Sequence, residues 1–317
     1  MRPIERTIAK GRRRELLFHV LGIGLTVVCL VVLGSVLLSL LYEGLPRINW
    51  SFLSSFPSRR AAKAGILSPI VGSALVMLVT GATAIPLGMG AGIYLEEYAR
   101  KNRLTSLIEI NITNLAGVPS IIYGLMALGL FIYKFEDWFG NKDDSISGLG
   151  QSILTGGLTL AFLILPIVIV ATREALRSIP QHMREAAYAL GASRWQVIAH
   201  HLLPYSSGGI ATGVIIALSR AIGETAPLVT IGALTYIAFL PPVPFTHTDS
   251  GGVAGPTDWL FSPFTVLPIQ MFNWISRPGD DFRANAAATG VVLLAITLAM
   301  NTVAIVVRQR MRRRIKW

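Results

Sequence analysis

The sequence predicts an all-α integral membrane protein of six transmembrane helices, with both termini in the cytoplasm. Hydrophobic residues make up 52% of the 317 residues and charged residues only 14%, whereas an average soluble domain has about 25% charged residues. The charged residues are grouped between long apolar segments, which is typical of a chain that folds in a lipid bilayer. A spanning helix needs about 20 mostly apolar residues, and six segments qualify: 16–41, 66–95, 104–133, 151–171, 204–239 and 284–307.

The first of these segments begins like a secretory signal peptide, because Arg12, Arg13 and Arg14 precede it. Its apolar run is longer than the roughly 7–15 residues of a signal core. Residues 42–46 also contain no small-x-small cleavage site. We therefore expect this segment to remain as the first helix.

Two later segments contain prolines that are expected to bend them. Segment 204–239 is too long for one straight span and contains Pro227, and segment 104–133 contains Pro119. Proline removes a backbone donor and kinks a helix. A kinked or broken helix at membrane depth is tolerated only against protein or a water-filled cavity, so both segments are expected to face such surroundings.

The distribution of Lys and Arg predicts the orientation in the membrane. With both termini inside, the inner segments hold 19 of the 28 basic residues, the outer segments hold 8, and Arg220 alone falls within a span. Cytoplasmic segments are enriched in Lys and Arg, so this orientation is favoured. The acidic loop 134–150 and the irregular loop 240–283 then lie outside the cell. Trp259 and Trp274 in the second of these loops are expected to be interfacial anchors or docking residues for an external partner.

The domain organisation follows from these spans. Residues 1–15 form a basic cytoplasmic N-terminus, and 16–65 form the first helix with an external loop. Residues 66–307 form a core of five transmembrane helices that includes a cytoplasmic loop, 173–203, and residues 308–317 form a basic cytoplasmic tail. Small residues within the core recur at helix-packing spacing, and close helix contacts are expected there: Gly88 with Gly92, and Gly209 with Gly213.

Composition and motifs also exclude several classes of function. The net charge of +11 comes from basic residues beside apolar runs, without interleaved aromatics, so we expect contact with membrane lipid and not with nucleic acid. Cys29 is the single cysteine, and His200 and His201 are adjacent and point about 100° apart on a helix, so we expect no metal site. There is no phosphate-binding G-x-x-x-x-G-K-[ST] loop and no nucleophile with a base. The chain itself is therefore expected to have no catalytic residue and no cofactor.

The cytoplasmic stretch between the fourth and fifth spans, entered from Ile179-Pro180, has the pattern of a short amphipathic helix over 181–201 that Gly191 interrupts. It is either a surface helix lying on the membrane or a docking element for a cytosolic partner. The candidate apolar contacts of this helix are Met183, Ala187, Leu190 and Trp195.

Arg220 and Glu224 place charge inside the fifth span, and their spacing of four residues predicts that both lie on one face of that helix. Each such charge costs about 2.5–3.5 kcal/mol near mid-membrane, so ionisable residues there usually face a pathway or each other. The pair either neutralises itself or serves an anion pathway. A guanidinium offers paired donors that suit phosphate oxygens. The carboxylate would repel an anion unless that anion carries a proton, as phosphate does near neutral pH and sulfate does not.

Two motifs resemble those of a known family. Glu185-Ala186-Ala187, followed by Gly191 and by Leu203-Pro204, resembles the EAA signature of ABC importer permeases, although His201 stands where that signature usually has an apolar residue. The segment from Ser219 to Leu228 resembles the fifth-helix motif of the phosphate-specific permeases, closest to the PstA type. Further agreement lies in 92–98, 116–125, 165–166 and 174–176.

The resemblance implies the type I importer permease (MetI-like) fold in a bacterial plasma (inner) membrane. It implies a homologous second permease of the PstC type, two ATPase subunits of the PstB type that bind ATP and Mg²⁺, and an external phosphate-binding protein of the PstS type. The loop that contains Glu185 and Gly191 would insert into the ATPase. The expected substrate path contains Arg220, Glu224, Thr225, Arg173 and Ser120, while Arg173 is equally consistent with a positive-inside anchor.

Other functions stay open at this point. A permease for sulfate, molybdate or phosphonate would share most of these motifs. A proton-coupled secondary transporter would use Glu224 as its proton carrier and need no ATPase. A membrane receptor or assembly scaffold would move no substrate at all.

Overall fold

The computed structural model describes residues 2–134, 150–233, 236–245 and 255–314, with side chains for 15–133, 150–233, 236–245 and 255–310. These residues are almost wholly helical. The α-helices are α1 (Arg2–Gly44), α2 (Trp50–Ser54), α3 (Leu67–Ile93), α4 (Arg103–Leu115), α5 (Ser120–Ala127), α6 (Ile153–Arg177), α7 (Gln181–Ala189), α8 (Arg194–Val197), α9 (Leu203–Ile222), α10 (Ala226–Thr230), α11 (Leu267–Ile275) and α12 (Asp280–Arg314). Single π-helical segments extend α3 (Tyr94–Tyr98) and α5 (Leu128–Lys134) and lead into α9 (Ile198–Leu202).

Within the described ranges, five helical stretches are long and apolar enough to cross a membrane. They are Glu15–Arg47, Leu67–Tyr98, Ile153–Arg177, Arg194–Ile222 and Asp280–Arg310. A sixth span is made only by α4 together with Ser120–Tyr133, which are bent by 106° relative to each other. The all-helical prediction is therefore confirmed, and the six predicted spans correspond to these five stretches and the bent pair.

The third span is broken because Pro119 starts a new helix. Pro119 is the N-cap residue of α5 and has an extended ψ of 134°, and proline is favoured at helix starts because its missing N–H is not needed there. α4 buries no residue among those described, whereas α5 buries Tyr123, Gly124 and Ala127. The half of the span after Pro119 is thus the half that belongs to the helix bundle.

The fifth span is also broken, but not as the sequence predicts. We expected Pro227 to kink one long helix over 204–239, whereas α9 ends at Ile222 with Gly223 as its C-cap. Pro227 lies in the first turn of the separate helix α10, where proline is tolerated. Gly232, with a φ of +83°, then turns the chain out of helix. The prediction of a single kinked helix is wrong, while that of an interrupted span is confirmed.

The cytoplasmic stretch is interrupted at Gly191, as the sequence predicts. The helix over 181–201 is divided there into α7 and α8, because Gly191 adopts a φ of +83°, which lies in the left-handed region that glycine enters without steric cost. The α7 C-terminus closes at this turn, where the Gly191 amide donates to the Tyr188 carbonyl. α8 starts with a capping box between Ser193 and Gln196.

Small residues bring the central helices together. α3 and α6 run parallel, with Gly88 against Val168 and Gly92 against Thr172. The α6–α9 pair is antiparallel, with Gly209 against Ala175 and Gly213 against Ala171 at very close approach. The predicted packing role of both glycine pairs is confirmed, since a β-carbon at any of them would collide with the neighbouring helix. These directions are the ones that six alternating spans require.

The two tryptophans of the predicted outer loop 240–283, Trp259 and Trp274, differ in burial. Trp274 is fully buried and packs at 6.0 Å from the Phe52 ring, so its expected role as an anchor or docking residue is wrong. The segment 45–66 covers it, because Arg47 ties that segment to Asn285 of α12. Trp259 is partly buried and packs against a cluster of buried apolar side chains. Residues 135–149, most of the acidic loop, lie outside the described residues.

Candidate functional site

Arg220 and Glu224 are brought together, as their spacing predicts. Arg220 Nε lies 3.4 Å from Glu224 Oε1, and the side chains are 40% and 21% exposed. Arg220 is in the last turn of α9, but Glu224 lies beyond the helix end, so the expectation that both occupy one helix face is wrong. Among the described residues, this single long contact leaves most of the guanidinium's five donors without a carboxylate partner.

The pair lies near the middle of the bundle. Gly213 of α9 is in contact with Ala171 of the antiparallel helix α6, and Arg220 lies seven residues further along α9. That places Arg220 level with Ile164, roughly 16–20 Å from either end of α6 at 1.5 Å per residue. A half-exposed guanidinium at that depth is unfavourable against lipid, so this face of α9 requires a polar neighbour.

The break beside the pair is fixed by α5. Gly124 of α5 packs directly on Pro227 and Thr230 of α10. Thr225 is half-buried, and its carbonyl accepts from the amides of Leu228 and Val229, which closes the first turn of α10. Ser120, at the start of α5, is half-buried and makes no side-chain hydrogen bond within the described part of the chain. The structure therefore joins Arg220 with Glu224, and Thr225 directly follows Glu224 at the start of α10.

Arg173 lies elsewhere, in a cluster at the end of the bundle that the sequence assigns to the cytoplasm. It is buried, with its guanidinium 2.6 Å from Glu109 and 3.6 Å from Glu96. Arg177 approaches the same two carboxylates at 2.8 Å from Glu96 and 3.7 Å from Glu109. The Arg173 Nε and Nη2 contacts are ion pairs without aligned hydrogen-bond geometry. This arrangement holds α3, α4 and α6 together by charge.

Sequence reasoning missed Glu96 and Glu109 as partners of Arg173. The partners lie on α4 and on the π-helical end of α3, more than 60 residues away in sequence. The sequence did contain a sign of these partners, because acidic residues occur near the predicted spans. Glu96-Glu97 falls within one of the family-like segments, and Glu109 interrupts an apolar run. Because the Arg173 guanidinium already faces two carboxylates, it is less able than Arg220 to bind an external anion.

The segment from α7 to the start of α9 presents two different faces. Ala187 is buried in a cluster with Leu176, Val197, Ile198 and Leu202, and Met183 packs against it. Leu190 is 90% and Trp195 62% exposed, so neither packs within the part of the chain that the structure describes, and their predicted apolar contacts with the membrane or a partner stay a prediction. The other residues of the family-like motif are Glu185, Ala186, Gly191 and Pro204, which are exposed, and Leu203, which is half-buried. The exposed Leu190 and Trp195 are available for contact with the membrane surface or with a partner.

One arginine in this segment that the sequence analysis did not single out makes several contacts within the chain. Arg184, next to Glu185, turns toward the bundle and bonds Glu97 and two backbone carbonyls. Its contacts cross from α7 to the ends of α3 and α6.

The chain is similar to a known protein family and to several named transport proteins. The family described as binding-protein-dependent transport system inner membrane component matches residues 84–317. The chain is 30% identical over 290 residues to a probable ABC transporter permease protein, YqgI, of Bacillus subtilis, covering 90% of this chain and 92% of that protein. It is 33% identical over 257 residues to the phosphate transport system permease protein PstA of Yersinia pestis, covering 81% and 76%. PstC of Mesorhizobium japonicum matches at 29% identity over 318 residues, covering 94% of this chain and 91% of that protein.

Solved structures share the fold at low identity. A chain of the bacterial alginate ABC transporter, in complex with its alginate-bound periplasmic protein, matches with a TM-score of 0.64 at 14% identity, covering 93% of this chain and 94% of that one. A chain of the inward-facing MetNI methionine ABC transporter matches with a TM-score of 0.56 at 15% identity, covering 78% and 97%. These likenesses confirm the predicted importer-permease fold.

Proposed function

The chain belongs to the family of binding-protein-dependent transport system inner membrane components, and from this membership we propose that it is one permease subunit of an ATP-driven importer of inorganic phosphate. It is a multi-pass membrane permease of the ABC importer type. Within that class we propose inorganic phosphate as the substrate and a bacterial inner membrane as the location. Several relatives are named as phosphate transport permeases, PstA and PstC among them, and this supports phosphate as the substrate.

The observation that carries the proposal is the loose Arg220–Glu224 pair at mid-depth. Its single contact of 3.4 Å and its exposure leave guanidinium donors available to an oxyanion. The neighbouring carboxylate disfavours a fully ionised anion by charge repulsion, and it can accept a hydrogen bond from an anion that still carries a proton. Phosphate near neutral pH offers oxygens to the guanidinium and a proton to the carboxylate. Sulfate offers only the oxygens.

The rest of the chain supplies what such a subunit needs from its partners. The exposed face of α9 at Arg220 would meet a homologous second permease across a shared path, which supplies the polar neighbour required there. The exposed Leu190 and Trp195, with Glu185 beside them, would enter a groove on an ATPase subunit. That ATPase binds ATP and Mg²⁺, and an external binding protein delivers phosphate to the outer side.

Transport would then proceed by alternating access. ATP binding draws the two ATPase subunits together and displaces the cytoplasmic segments docked on them. The broken third and fifth spans can change their tilt at 116–119 and 223–225 without unfolding, since their helices already end there. The protein contributes orientation and electrostatics to the passing anion, and it makes or breaks no covalent bond.

The experiment is reconstitution of the chain with its second permease, ATPase and external binding protein in proteoliposomes. We expect uptake of labelled phosphate that requires ATP, survives collapse of the proton gradient and is competed by unlabelled phosphate but not by sulfate, molybdate or phosphonate. Stronger competition by one of those oxyanions would assign that substrate instead. Uptake abolished by an uncoupler with ATP present would contradict the ATP-driven mechanism.

A further inference from the structure

Arg184 makes four hydrogen bonds that fasten the cytoplasmic helix α7 to two other helices. Its Nη1 donates to the Ile179 carbonyl at 2.8 Å, and its Nη2 donates to the Leu176 carbonyl at 2.9 Å. Its Nε and Nη2 both donate to Glu97 Oε1, at 3.3 and 2.9 Å. The guanidinium therefore bridges α7, the C-terminal end of α6 and the π-helical end of α3.

These contacts are buried and well matched in charge. The Glu97 side chain is 8% exposed and that of Arg184 is 17% exposed. The last carbonyls of α6 form the negative end of its helix dipole, where a cation is stabilised. Removing one member of a buried pair leaves the other charge without compensation, so neither residue is free to move alone. We call this set Arg184, Glu97 and the Leu176 and Ile179 carbonyls the Arg184 clamp.

The residue after Arg184 faces the opposite way. Glu185 is exposed, on the same segment as the exposed Leu190 and Trp195. The Arg184 side chain thus contacts the helix bundle, whereas the next side chain, that of Glu185, lies on the surface proposed to bind the ATPase. Without the clamp, α7 would be held mainly by the small apolar contacts of Ala187 and Met183.

The clamp joins α7 to the most tightly packed pair of helices in the molecule. α3 and α6 interlock along their length, at Gly88 with Val168 and at Gly92 with Thr172. Rigid, interlocked helices transmit a displacement applied at one end. A push on α7 therefore reaches α3 and α6 together if the clamp is intact, and is absorbed by tilting of α7 if it is not.

We infer that Arg184 is a positioning residue that transmits the movement of α7 to α3 and α6, and so couples ATP hydrolysis on the partner to transport. The inference rests on the proposed function only in that the exposed face of α7 is taken to bind the ATPase. It does not depend on which anion is carried.

The test compares ATP hydrolysis with phosphate uptake in the same proteoliposomes of the complete complex. Arg184→Met removes all four bonds, and Glu97→Gln removes the charge with little change of shape. We expect the number of ATP molecules hydrolysed per phosphate imported to rise about tenfold in Arg184→Met and less in Glu97→Gln, the scale of losing a charged hydrogen bond. Arg184→Lys keeps the charge without the planar fork and should lie between Arg184→Met and the parent protein.

Arg100→Met is the matched control, because Arg100 is an exposed arginine two residues beyond the α3 π-helical segment. Its ratio should equal that of the parent protein. If hydrolysis and uptake fall in proportion in Arg184→Met and Glu97→Gln, with the ratio unchanged, the clamp has only a structural role and the inference is overturned.

A second measurement keeps the inference separate from the identity of the substrate. Spin labels on cysteines introduced at exposed His182 on α7 and Lys101 after α3, with Cys29→Ser, report the distance between the two elements. On ATP binding this distance should stay fixed with Arg184 present and change or broaden in Arg184→Met. An equally fixed distance in both proteins would overturn the clamp, whereas absence of phosphate uptake by the parent complex would count against the proposed function alone.

Discussion

Arginine and glutamate meet both in the middle of the bundle and at its cytoplasmic end, but the two regions use these residues differently. At the cytoplasmic end Arg173 faces two carboxylates and Arg184 makes four hydrogen bonds. In the middle, Arg220 has one carboxylate contact of 3.4 Å and a side chain that is 40% exposed. The first region is satisfied within the chain, and the second retains donors for something outside it.

The difference indicates which charges hold the fold and which serve transport. A buried charge without its partner is strongly unfavourable, so charges at the cytoplasmic end stabilise the arrangement of α3, α4, α6 and α7. An exposed ion pair four residues apart contributes little to stability. Arg220 and Glu224 therefore contribute little to holding the protein together, and their position at mid-depth needs a functional reason.

The largest effect on stability is expected at Arg173. Arg173→Met leaves Glu96 and Glu109 short of a buried partner and should lower the free energy of unfolding by about 3 kcal/mol. Denaturant unfolding in detergent micelles measures this loss. Arg177→Met is the control, because Arg177 is 53% exposed and its loss should cost about 1 kcal/mol or less. Equal losses in the two variants would remove the distinction between the regions.

Arg220→Ala should show the reverse pattern, with a large effect on transport and a small one on stability. Loss of a charged hydrogen-bond donor to the passing anion should reduce phosphate uptake by about 10–100-fold. Unfolding should change by about 0.5 kcal/mol or less, the value of an exposed pair. Initial uptake rates and denaturant unfolding on the same preparations measure both. A stability loss as large as that of Arg173→Met would place Arg220 among the structural charges.

A smaller effect is expected at Gly191, between α7 and α8. A side chain at its φ of +83° should cost about 1–2 kcal/mol per residue of left-handed backbone, and no neighbouring atom lies within 4 Å to add a clash. Gly191→Ala should therefore lower the unfolding free energy by about 1 kcal/mol, and Gly191→Asn by less, because asparagine tolerates this conformation. Identical losses for alanine and asparagine would show that packing and not backbone strain sets the cost.

The same contrast explains what could be predicted from the sequence. Arg220 and Glu224 are local neighbours, so their spacing and the apolar residues around them sufficed to predict the contact. Arg184 and Glu97 are 87 residues apart, and their pairing depends on how α3 and α6 pack, which local pattern does not encode. The breaks at Pro119 and Pro227 were expected, but their form was not, because a proline can either kink a helix or begin one.

Trp274 illustrates a second limit. A tryptophan in an outer loop of a membrane protein is ordinarily an interfacial residue, and nothing near it in the sequence indicates otherwise. It is buried because residues 45–66, more than 200 positions earlier, fold over it through Phe52. Leu190 and Trp195 are exposed within the chain, and under the proposed function the surface that covers them lies on the ATPase subunit.

The substitution Glu224→Gln in the reconstituted complex tests the central claim most directly, because it removes the charge that is proposed to reject fully ionised anions while leaving Arg220 in place. With labelled phosphate and increasing unlabelled sulfate, the parent complex should be insensitive to sulfate. The Glu224→Gln complex should be competed by sulfate, with the sulfate inhibition constant lowered about tenfold or more. Phosphate uptake and sulfate exclusion that both remain as in the parent complex would contradict the account.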